Sequence, residues 1–221
     1  MTSIKNNVEF RNFYFNKKIK SQNGQDAFVL DYFNFKKDGV FVDIGAHDGF
    51  SFSNTYVLEK NYNWKGICIE PIYLTFQKLE KNRNCIKLNI GISDVDGLEK
   101  FSYIEKSSRT LSGMVKEYHL KHLERINELS KKLDSKLIEI DVPCKTINDV
   151  LIEHNTYKVD YLNIDTEGNE FKILRSLNFE KFSIECMTVE NNYNNKEQRQ
   201  YILSKGYKLM GRLGGDEVFV K

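Results

Sequence analysis

Residues 40–49, Val40-Phe-Val-Asp-Ile-Gly-Ala-His-Asp-Gly49, decide the fold class of this chain. An apolar run that contains Asp43 ends in a turn with two glycines, just before a helix-like segment. A second apolar run, Gly66-Ile-Cys-Ile-Glu70, also ends in an acid. Such neighbouring strands are typical of an open α/β sheet that binds a nucleoside, because glycines allow close backbone approach and the second acid accepts hydrogen bonds from ribose hydroxyls. The pattern predicts an adenosine-containing cofactor.

The turn itself indicates which cofactor fits. It lacks the Gly-x-Gly-x-x-Gly spacing whose backbone amides receive a pyrophosphate. Its two carboxylates, Asp43 and Asp48, would repel a pyrophosphate but suit the ammonium and sulfonium of S-adenosylmethionine. We therefore assign Asp43 or Asp48 to the methionine end and Glu70 to the ribose diol. The alternative is an ordinary buried strand followed by a loop with solvated acids.

Five motifs occur in an order that resembles the FkbM family of S-adenosylmethionine-dependent methyltransferases, from about residue 21 to the C-terminus. They are Ser21-Gln-Asn-Gly-Gln-Asp26, Phe41-Val-Asp-Ile-Gly-Ala-His-Asp-Gly-Phe-Ser-Phe-Ser-Asn-Thr55, Gly66-Ile-Cys-Ile-Glu-Pro71, Gly91-Ile-Ser-Asp94 and Asp160-Tyr-Leu-Asn-Ile-Asp-Thr-Glu-Gly-Asn-Glu170. The Asp-Thr-Glu-Gly-x-Glu element is the most specific. The resemblance implies methylation of hydroxyl groups on sugars and secondary metabolites.

The same resemblance implies a set of cofactor-binding residues. Ser93 and Asp94 would lie beside the adenine, and Gln25 near the cofactor's entrance. His47 departs from the commoner Asn of the family, so its role is not transferred. The complete set is Gln25, Asp43, Gly45, Ala46, His47, Asp48, Ser53, Glu70, Pro71, Ile72, Ser93 and Asp94.

Composition narrows the class of protein. The chain has 221 residues, 40% hydrophobic and 29% charged, which suits one globular domain. A net charge of +2 gives no strong field for polyanions, so no nucleic-acid partner is expected. The four cysteines form no Cys-x-x-Cys pair, and neither a signal-peptide h-region nor a membrane-spanning run is present. We expect a cytoplasmic protein with no membrane partner.

Apolar, strand-like runs alternate with helix-like segments from residue 40 onward. This order predicts a Rossmann-like, seven-stranded methyltransferase sheet, mostly parallel, with helices on both faces. A C-terminal antiparallel hairpin is predicted from Tyr207–Leu213, a Gly-Gly turn and Glu217–Val220. Residues 1–20 are interpreted as an N-terminal arm that could pack on the domain or mediate a homodimer. Residues 21–221 form the methyltransferase domain.

Residues 98–145 interrupt the alternation and are too long for a simple crossover. Their centre, Met114–Leu133, has leucine and isoleucine on one face and Glu-to-Lys pairs at i,i+4 spacing, which predicts a helix. We interpret this insertion as a substrate lid. A helix that only packs against the sheet is an equal alternative.

Polar residues follow the fourth and fifth parallel strands. Asp165 and Glu167 come after one strand, and Glu190 and Asn191 after the next. The carboxyl ends of neighbouring strands meet at one edge, so these side chains should converge. Asp165, Glu190 and Asn191 resemble the hard-cation site of metal-dependent O-methyltransferases, which predicts Mg²⁺ or another divalent cation. Alternatively, Glu190 and Asn191 bind substrate hydroxyls or cap the next helix without metal.

Without a metal, a general base must accept the hydroxyl proton. Asp165 and Glu167 are the carboxylate candidates, and His122 resembles a recurring His of the closer FkbM relatives. The alternative for His122 is a solvent-exposed histidine on a helix, without a role in catalysis. The sequence therefore predicts an O-methyltransferase that acts on a sugar, nucleotide-sugar or glycan precursor. The alternatives are a methyltransferase of another small metabolite or of nucleic acid, and a non-catalytic cofactor-binding subunit.

Overall fold

The computed structural model of the chain describes residues 19–104, 113–114, 128, 130–132 and 134–221. Within these residues the fold is mixed α/β with two sheets, one of seven strands and one of four. The helices are α1 (Gln25–Tyr32), α2 (Tyr56–Tyr62), α3 (Tyr73–Asn82), α4 (Ile147–Glu153), α5 (Glu170–Ser176) and α6 (Lys196–Ser204).

The strands follow the predicted alternation closely. They are β1 (Val40–Ile44), β2 (Lys65–Ile69), β3 (Ile86–Leu88), β4 (Gly91–Ser93), β5 (Gly97–Ile104), β6 (Gly113–Met114), β7 (Leu137–Thr146), β8 (Lys158–Ile164), β9 (Ser183–Glu190), β10 (Lys208–Leu213) and β11 (Asp216–Val220).

The seven-stranded sheet has the order β10-β11-β9-β8-β1-β2-β3. Strands β3, β2, β1, β8 and β9 are parallel, and β11 and β10 add an antiparallel hairpin at the edge. The predicted fold class and its C-terminal hairpin are therefore confirmed. Strand β1 is the middle one of the five parallel strands, so the turn that follows it opens at the middle of their carboxyl edge.

Two apolar clusters cover the two faces of this sheet. Alternate residues of one strand enter different clusters, as Val42 and Ile44 contribute to one and Phe41 to the other. One cluster includes residues of α4, α5 and α6, and the other includes residues of α1, α2 and α3. Burial on both faces explains why the central strands are continuous apolar runs.

The apolar run over residues 85–92, which the sequence predicts as a single strand, is divided between the two sheets, so that prediction is wrong. Residues 86–88 join the large sheet as β3, whereas Gly91–Ser93 pair with β7 in the second sheet. The Asn89 side chain donates to the carbonyl oxygens of Glu70 and Pro71, at 2.9 and 3.0 Å. These bonds hold the chain at the point where it leaves one sheet for the other.

The insertion contains strands that the sequence reasoning did not predict. Strand β5 pairs antiparallel over its whole length with Leu137–Cys144 of β7, and β6 joins β5. Met114, the expected start of the insertion helix, lies in β6. Residue 128 and residues 130–132 are helical, and the rest of the proposed lid helix lies outside the described residues, as do residues 1–18 of the arm. No helix in the described ranges is long and apolar enough to cross a membrane.

Candidate active site

A cavity of about 480 Å³ opens at the carboxyl edge of the large sheet, a volume typical of small-molecule sites. Its walls come from the ends of β1, β2, β8 and β9, from the β4 segment and from the β10–β11 turn. Residues distant in sequence thus meet in one place because parallel strands end at the same edge.

The turn after β1 and the end of β2 are joined by hydrogen bonds through Glu70. Its Oε2 accepts from the backbone N–H of His47 at 3.1 Å, and its Oε1 accepts from the N–H of Ile72 at 2.9 Å. Glu70 is buried and lines the cavity. Its carboxylate is therefore held in one orientation at the position that the sequence assigns to a ribose diol.

Gly45 allows β1 and β8 to end against each other. Its φ is +86°, and a Cβ built at this position would lie 1.8 Å from the backbone oxygen of Asp165. Only glycine fits such a contact without moving the backbone, since L side chains rarely adopt this conformation. The glycine thus has a packing role between the turn after β1 and the end of β8.

We expect Gly45→Ala to lower the free energy of unfolding by about 3 kcal/mol or more, because it adds backbone strain and a steric clash. Urea unfolding measures the effect. Gly97→Ala is the matched control: its φ is also positive, +149°, but nothing lies within 4 Å of its Cβ. The free energy of unfolding of this control should fall by about 1 kcal/mol. Equal losses in both variants would contradict the proposed packing role.

Asp43 lies at the floor of the cavity and is 2% exposed. Its Oδ2 accepts from the Thr55 hydroxyl at 2.5 Å, and its Oδ1 accepts from Asn163 Nδ2 at 2.8 Å. Burial raises the pKa of Asp43, and the Thr55 bond and the Arg83 guanidinium oppose that rise. The carboxylate is thus fixed by donors on both sides.

Three more carboxylates of the cavity wall converge. One oxygen each from Asp165, Glu167 and Glu190 lie within 4.8 Å of one another. The Glu167 backbone N–H donates to Glu190 Oε2 at 3.2 Å. Burial, and next the charge of Asp216, raises the pKa of Asp165 well above its ordinary value; burial and the charge of Asp165 do the same for Glu190. Such a cluster favours a proton or a bound cation.

The C-terminal hairpin contributes one more acid. Asp216 pairs in register with Glu190, and its Oδ2 accepts from Gln25 Nε2 at 2.8 Å. Burial raises the pKa of Asp216 to about 6. From sequence, Asp216 has two equal interpretations, a contact to the substrate or an ordinary acid of the hairpin turn.

Most of the predicted site residues line the cavity, but several lie elsewhere. Asp48 accepts from the backbone N–H groups of Phe50 and Ser51 and stabilises the loop. Asp94 forms an ion pair with Lys172 at 3.1 Å. The predicted residues on the cavity wall are Gln25, Asp43, Gly45, Ala46, His47, Ser53, Glu70, Pro71, Asp165, Glu167 and Glu190. Those outside it are Asp48, Ile72, Ser93, Asp94 and Asn191.

Asn191 does not join the carboxylate cluster, in contrast to the expected metal site. Its Oδ1 accepts from the backbone N–H of Asn195 at 2.6 Å, and its Nδ2 donates to Glu217 Oε2 at 3.0 Å. The amide thus holds the loop before α6, whose N-cap is Asn195 and not Asn191. Glu167 lies in the place that Asn191 was expected to fill. His122 lies outside the described residues.

Apolar residues that the sequence reasoning missed complete the wall. Ile90, Ile92 and Phe101 line the cavity, and Phe101 comes from the second sheet. Asn169 also lines it and is 2% exposed; its Nδ2 donates to Ile92 O at 2.8 Å. Its Oδ1 has no hydrogen-bond partner in the described part of the chain. An unsatisfied acceptor beside an apolar wall fits an adenine amino group, so the residues present suit the adenosine of S-adenosylmethionine.

Comparisons with solved structures give weak likenesses. A methyltransferase FkbM from Methylobacillus flagellatus is 14% identical with a TM-score of 0.46, covering 84% of this chain and 44% of that one. The METTL16 MTase domain is 15% identical with a TM-score of 0.45, and the match covers 88% of this chain and 64% of that chain. A precorrin-6y C5,15-methyltransferase from Geobacter metallireducens is 11% identical with a TM-score of 0.39, and the match covers 92% of this chain and 89% of that chain. The chain thus spans less than two thirds of the first two structures.

No curated protein matches the sequence. The family model described as the methyltransferase FkbM domain matches residues 43–209, which include the turn after β1 and the carboxylates of β8 and β9. This match covers well over half of the chain. The chain belongs to the FkbM family of methyltransferases.

Proposed function

We propose that this protein transfers the methyl group of S-adenosylmethionine to a hydroxyl of a sugar, nucleotide-sugar or glycan precursor. The observation that carries the proposal is a single cavity lined both by Asp43 and Glu70 and by the Asp165, Glu167 and Glu190 cluster. Asp43 and Glu70 suit the cofactor's cationic and ribose groups, and the cluster suits a hydroxyl that must lose a proton. A cytoplasmic location is part of the same proposal.

The reaction needs alignment and one proton acceptor. The substrate oxygen attacks the methyl carbon as the carbon–sulfur bond breaks, giving a methyl ether and S-adenosylhomocysteine. The hydroxyl proton goes to Asp165, whose raised pKa makes its carboxylate a better base than an ordinary aspartate. No covalent enzyme intermediate is required, so the walls contribute mainly by holding the two partners in line.

Side-chain amides and the charge of the cavity support a polyhydroxylated acceptor. Asn23 and Asn192 line the wall, where amides can hydrogen-bond hydroxyls. Six carboxylates line it too, whereas none of the described lining residues is Lys or Arg. An acidic wall opposes a phosphate beside the reacting oxygen. The diphosphate of a nucleotide-sugar would therefore lie outside this cavity.

Product analysis tests the proposal directly. The purified protein is incubated with S-adenosylmethionine and a panel of sugars, nucleotide-sugars and glycans, and mass spectrometry detects a gain of one methyl group. We expect a methylated sugar and S-adenosylhomocysteine in equal amounts. Methylation of nucleic acid, with binding that weakens steeply as salt is added, would favour that alternative acceptor. Tight cofactor binding without turnover on any acceptor would favour a non-catalytic subunit.

We also propose that Asp165, Glu167 and Glu190 bind a divalent cation, with Glu167 in place of the expected Asn191. Three carboxylate oxygens within 4.8 Å form a donor set of the type that Mg²⁺ prefers. A cation bound here would lower the pKa of a substrate hydroxyl. Without a cation, the negative charges of Asp165 and Glu190 repel each other. None of the described residues of the cavity wall is a Lys or Arg that could offset this repulsion, which supports a bound cation.

Removal of metal is expected to lower turnover at least tenfold, because the hydroxyl would lose its activating cation. The enzyme is stripped with EDTA, exchanged into metal-free buffer and assayed before and after addition of Mg²⁺ or Mn²⁺. The stripped Glu167→Gln variant serves as control and should regain less activity at equal Mg²⁺. Full turnover of the metal-stripped enzyme would refute the cation site and leave Asp165 as an unassisted base.

A further inference from the structure

Arg83 is a buried cation behind the cavity rather than in its wall. It follows α3 as the C-cap residue, and its side chain is completely inaccessible to solvent. A buried guanidinium is costly unless its donors are bonded and its charge is paired. Its partners therefore indicate what the protein gains from keeping it there.

Most of those partners lie in one segment, residues 49–55, which joins the cofactor turn to α2. The guanidinium donates to Gly49 O at 3.3 Å, to Ser53 Oγ at 3.4 Å and to Thr55 Oγ1 at 3.0 Å. Its Nε also donates to Glu59 Oε2 at 2.6 Å, which pairs the charge. Arg83 thus binds three successive points of the loop, and Ser53 is itself a cavity residue.

The bond to Thr55 fixes the direction of a hydrogen-bond chain. An arginine can only donate, so the Thr55 hydroxyl accepts from Arg83 and must direct its own proton elsewhere. That proton is donated to Asp43 Oδ2 at 2.5 Å. The chain Arg83–Thr55–Asp43 therefore presents Asp43 with a donor and a positive charge, both of which favour its ionised form.

We propose that Arg83 is a positioning residue for S-adenosylmethionine, acting through Thr55 to hold Asp43 as an oriented carboxylate at the methionine end of the cavity. This inference rests on the proposed function, because it assumes that the cofactor binds in this cavity. Arg83 does not touch the cofactor. Lysine cannot replace it, because a single ammonium cannot span the loop carbonyl, the hydroxyl and Glu59 as a planar fork does.

The test measures the dissociation constant for S-adenosylmethionine by isothermal titration, beside the thermal unfolding midpoint of each variant. Arg83→Met should weaken binding at least tenfold. It also removes one of the two cations that pair with Glu59 and leaves only Lys60, at 3.2 Å, so its stability will fall. The double variant Arg83→Met/Glu59→Gln removes the carboxylate charge that has lost its arginine. We expect its midpoint to move back toward wild type while its affinity stays at least tenfold weaker.

Thr55 supplies a readout that a merely structural role would not change. Thr55→Val should weaken binding about as much as Arg83→Met, and Thr55→Ser, which keeps the hydroxyl, should stay within twofold of wild type. Combining Thr55→Val with Arg83→Met should cost little more than either change alone, since both interrupt the same chain. Glu59→Gln alone should lower stability and leave affinity within twofold.

Three results would overturn the inference: affinity that recovers together with stability in the double variant, additive losses for Thr55→Val and Arg83→Met, or wild-type affinity in Thr55→Val. Each of them leaves the proposed function intact if the wild-type protein binds S-adenosylmethionine. Wild-type protein that does not bind it would instead refute the proposed function and this inference with it.

Discussion

Glu70→Ala should weaken the binding of S-adenosylmethionine at least tenfold, and by about 100-fold if both ribose hydroxyls donate to this carboxylate. Hydrogen bonds to a charged acceptor are worth about 1.5–3 kcal/mol, and each 1.4 kcal/mol corresponds to a factor of ten in affinity. The carboxylate lines the cavity at the end of β2, and the N–H groups of His47 and Ile72 hold it there. Isothermal titration against wild type measures the loss.

The alanine variant also leaves those two backbone N–H groups without their acceptor, so a second variant separates ribose binding from turn geometry. Glu70→Gln keeps an oxygen for the turn but loses the charge, and we expect an intermediate affinity. Asp94→Asn is the matched control, because Asp94 was assigned to the cofactor from sequence but pairs with Lys172 outside the cavity wall. It should stay within twofold of wild type. Unchanged affinity in Glu70→Ala would remove this residue from the ribose.

The contrast between Glu70 and Asp94 shows what the sequence could predict. Strands β1 and β2 and the turn between β1 and α2 depend on local features: continuous apolar runs, two glycines and an acid at a strand end. The strand after α3 could not be predicted, because it divides where Asn89 bonds to backbone carbonyls of another segment. The hydrophobic periodicity of the sequence gives no sign of such a bond, and beyond it residues 91–93 join the second sheet.

Strand topology explains which members of the carboxylate cluster were predictable from the sequence. Parallel topology brought Asp165 and Glu190 to one edge, so their convergence was predictable from strand order alone. The direction in which a side chain points beyond the end of the strand was not predictable. Asn191 follows Glu190 directly, yet the β-strand alternation and the start of α6 turn its amide to Asn195 and Glu217. Glu167 was a candidate base, and its membership of the cluster is shown by its side-chain oxygen, which lies within 4.8 Å of those of Asp165 and Glu190, and by its backbone N–H, which donates to Glu190.

Asp165→Asn should lower turnover at least 100-fold and change the dissociation constant for S-adenosylmethionine by less than about threefold. Removing a general base or a cation ligand typically costs a factor of 10² to 10⁴ in rate. The assay compares initial rates at saturating cofactor on whichever acceptor the product analysis identifies. Asp160→Asn is the control on the same strand: Asp160 lies near the opposite end of β8, where it accepts from Lys36 and from the Val40 N–H. Its turnover should remain within twofold of wild type.

Thermal stability separates a lost function from a damaged fold in this variant. The pKa of Asp165 is raised by burial and by neighbouring carboxylates, so the folded state binds its proton more tightly than the unfolded chain does. Ionisation of Asp165 therefore destabilises the metal-free protein, and that cost grows as pH rises above the ordinary aspartate pKa of about 4. Asparagine cannot ionise, so the variant's unfolding midpoint at pH 8 should equal or exceed that of wild type. An inactive variant that is more stable than wild type would show that Asp165 serves catalysis although it lowers the stability of the fold. Retained turnover would exclude Asp165 both as base and as metal ligand.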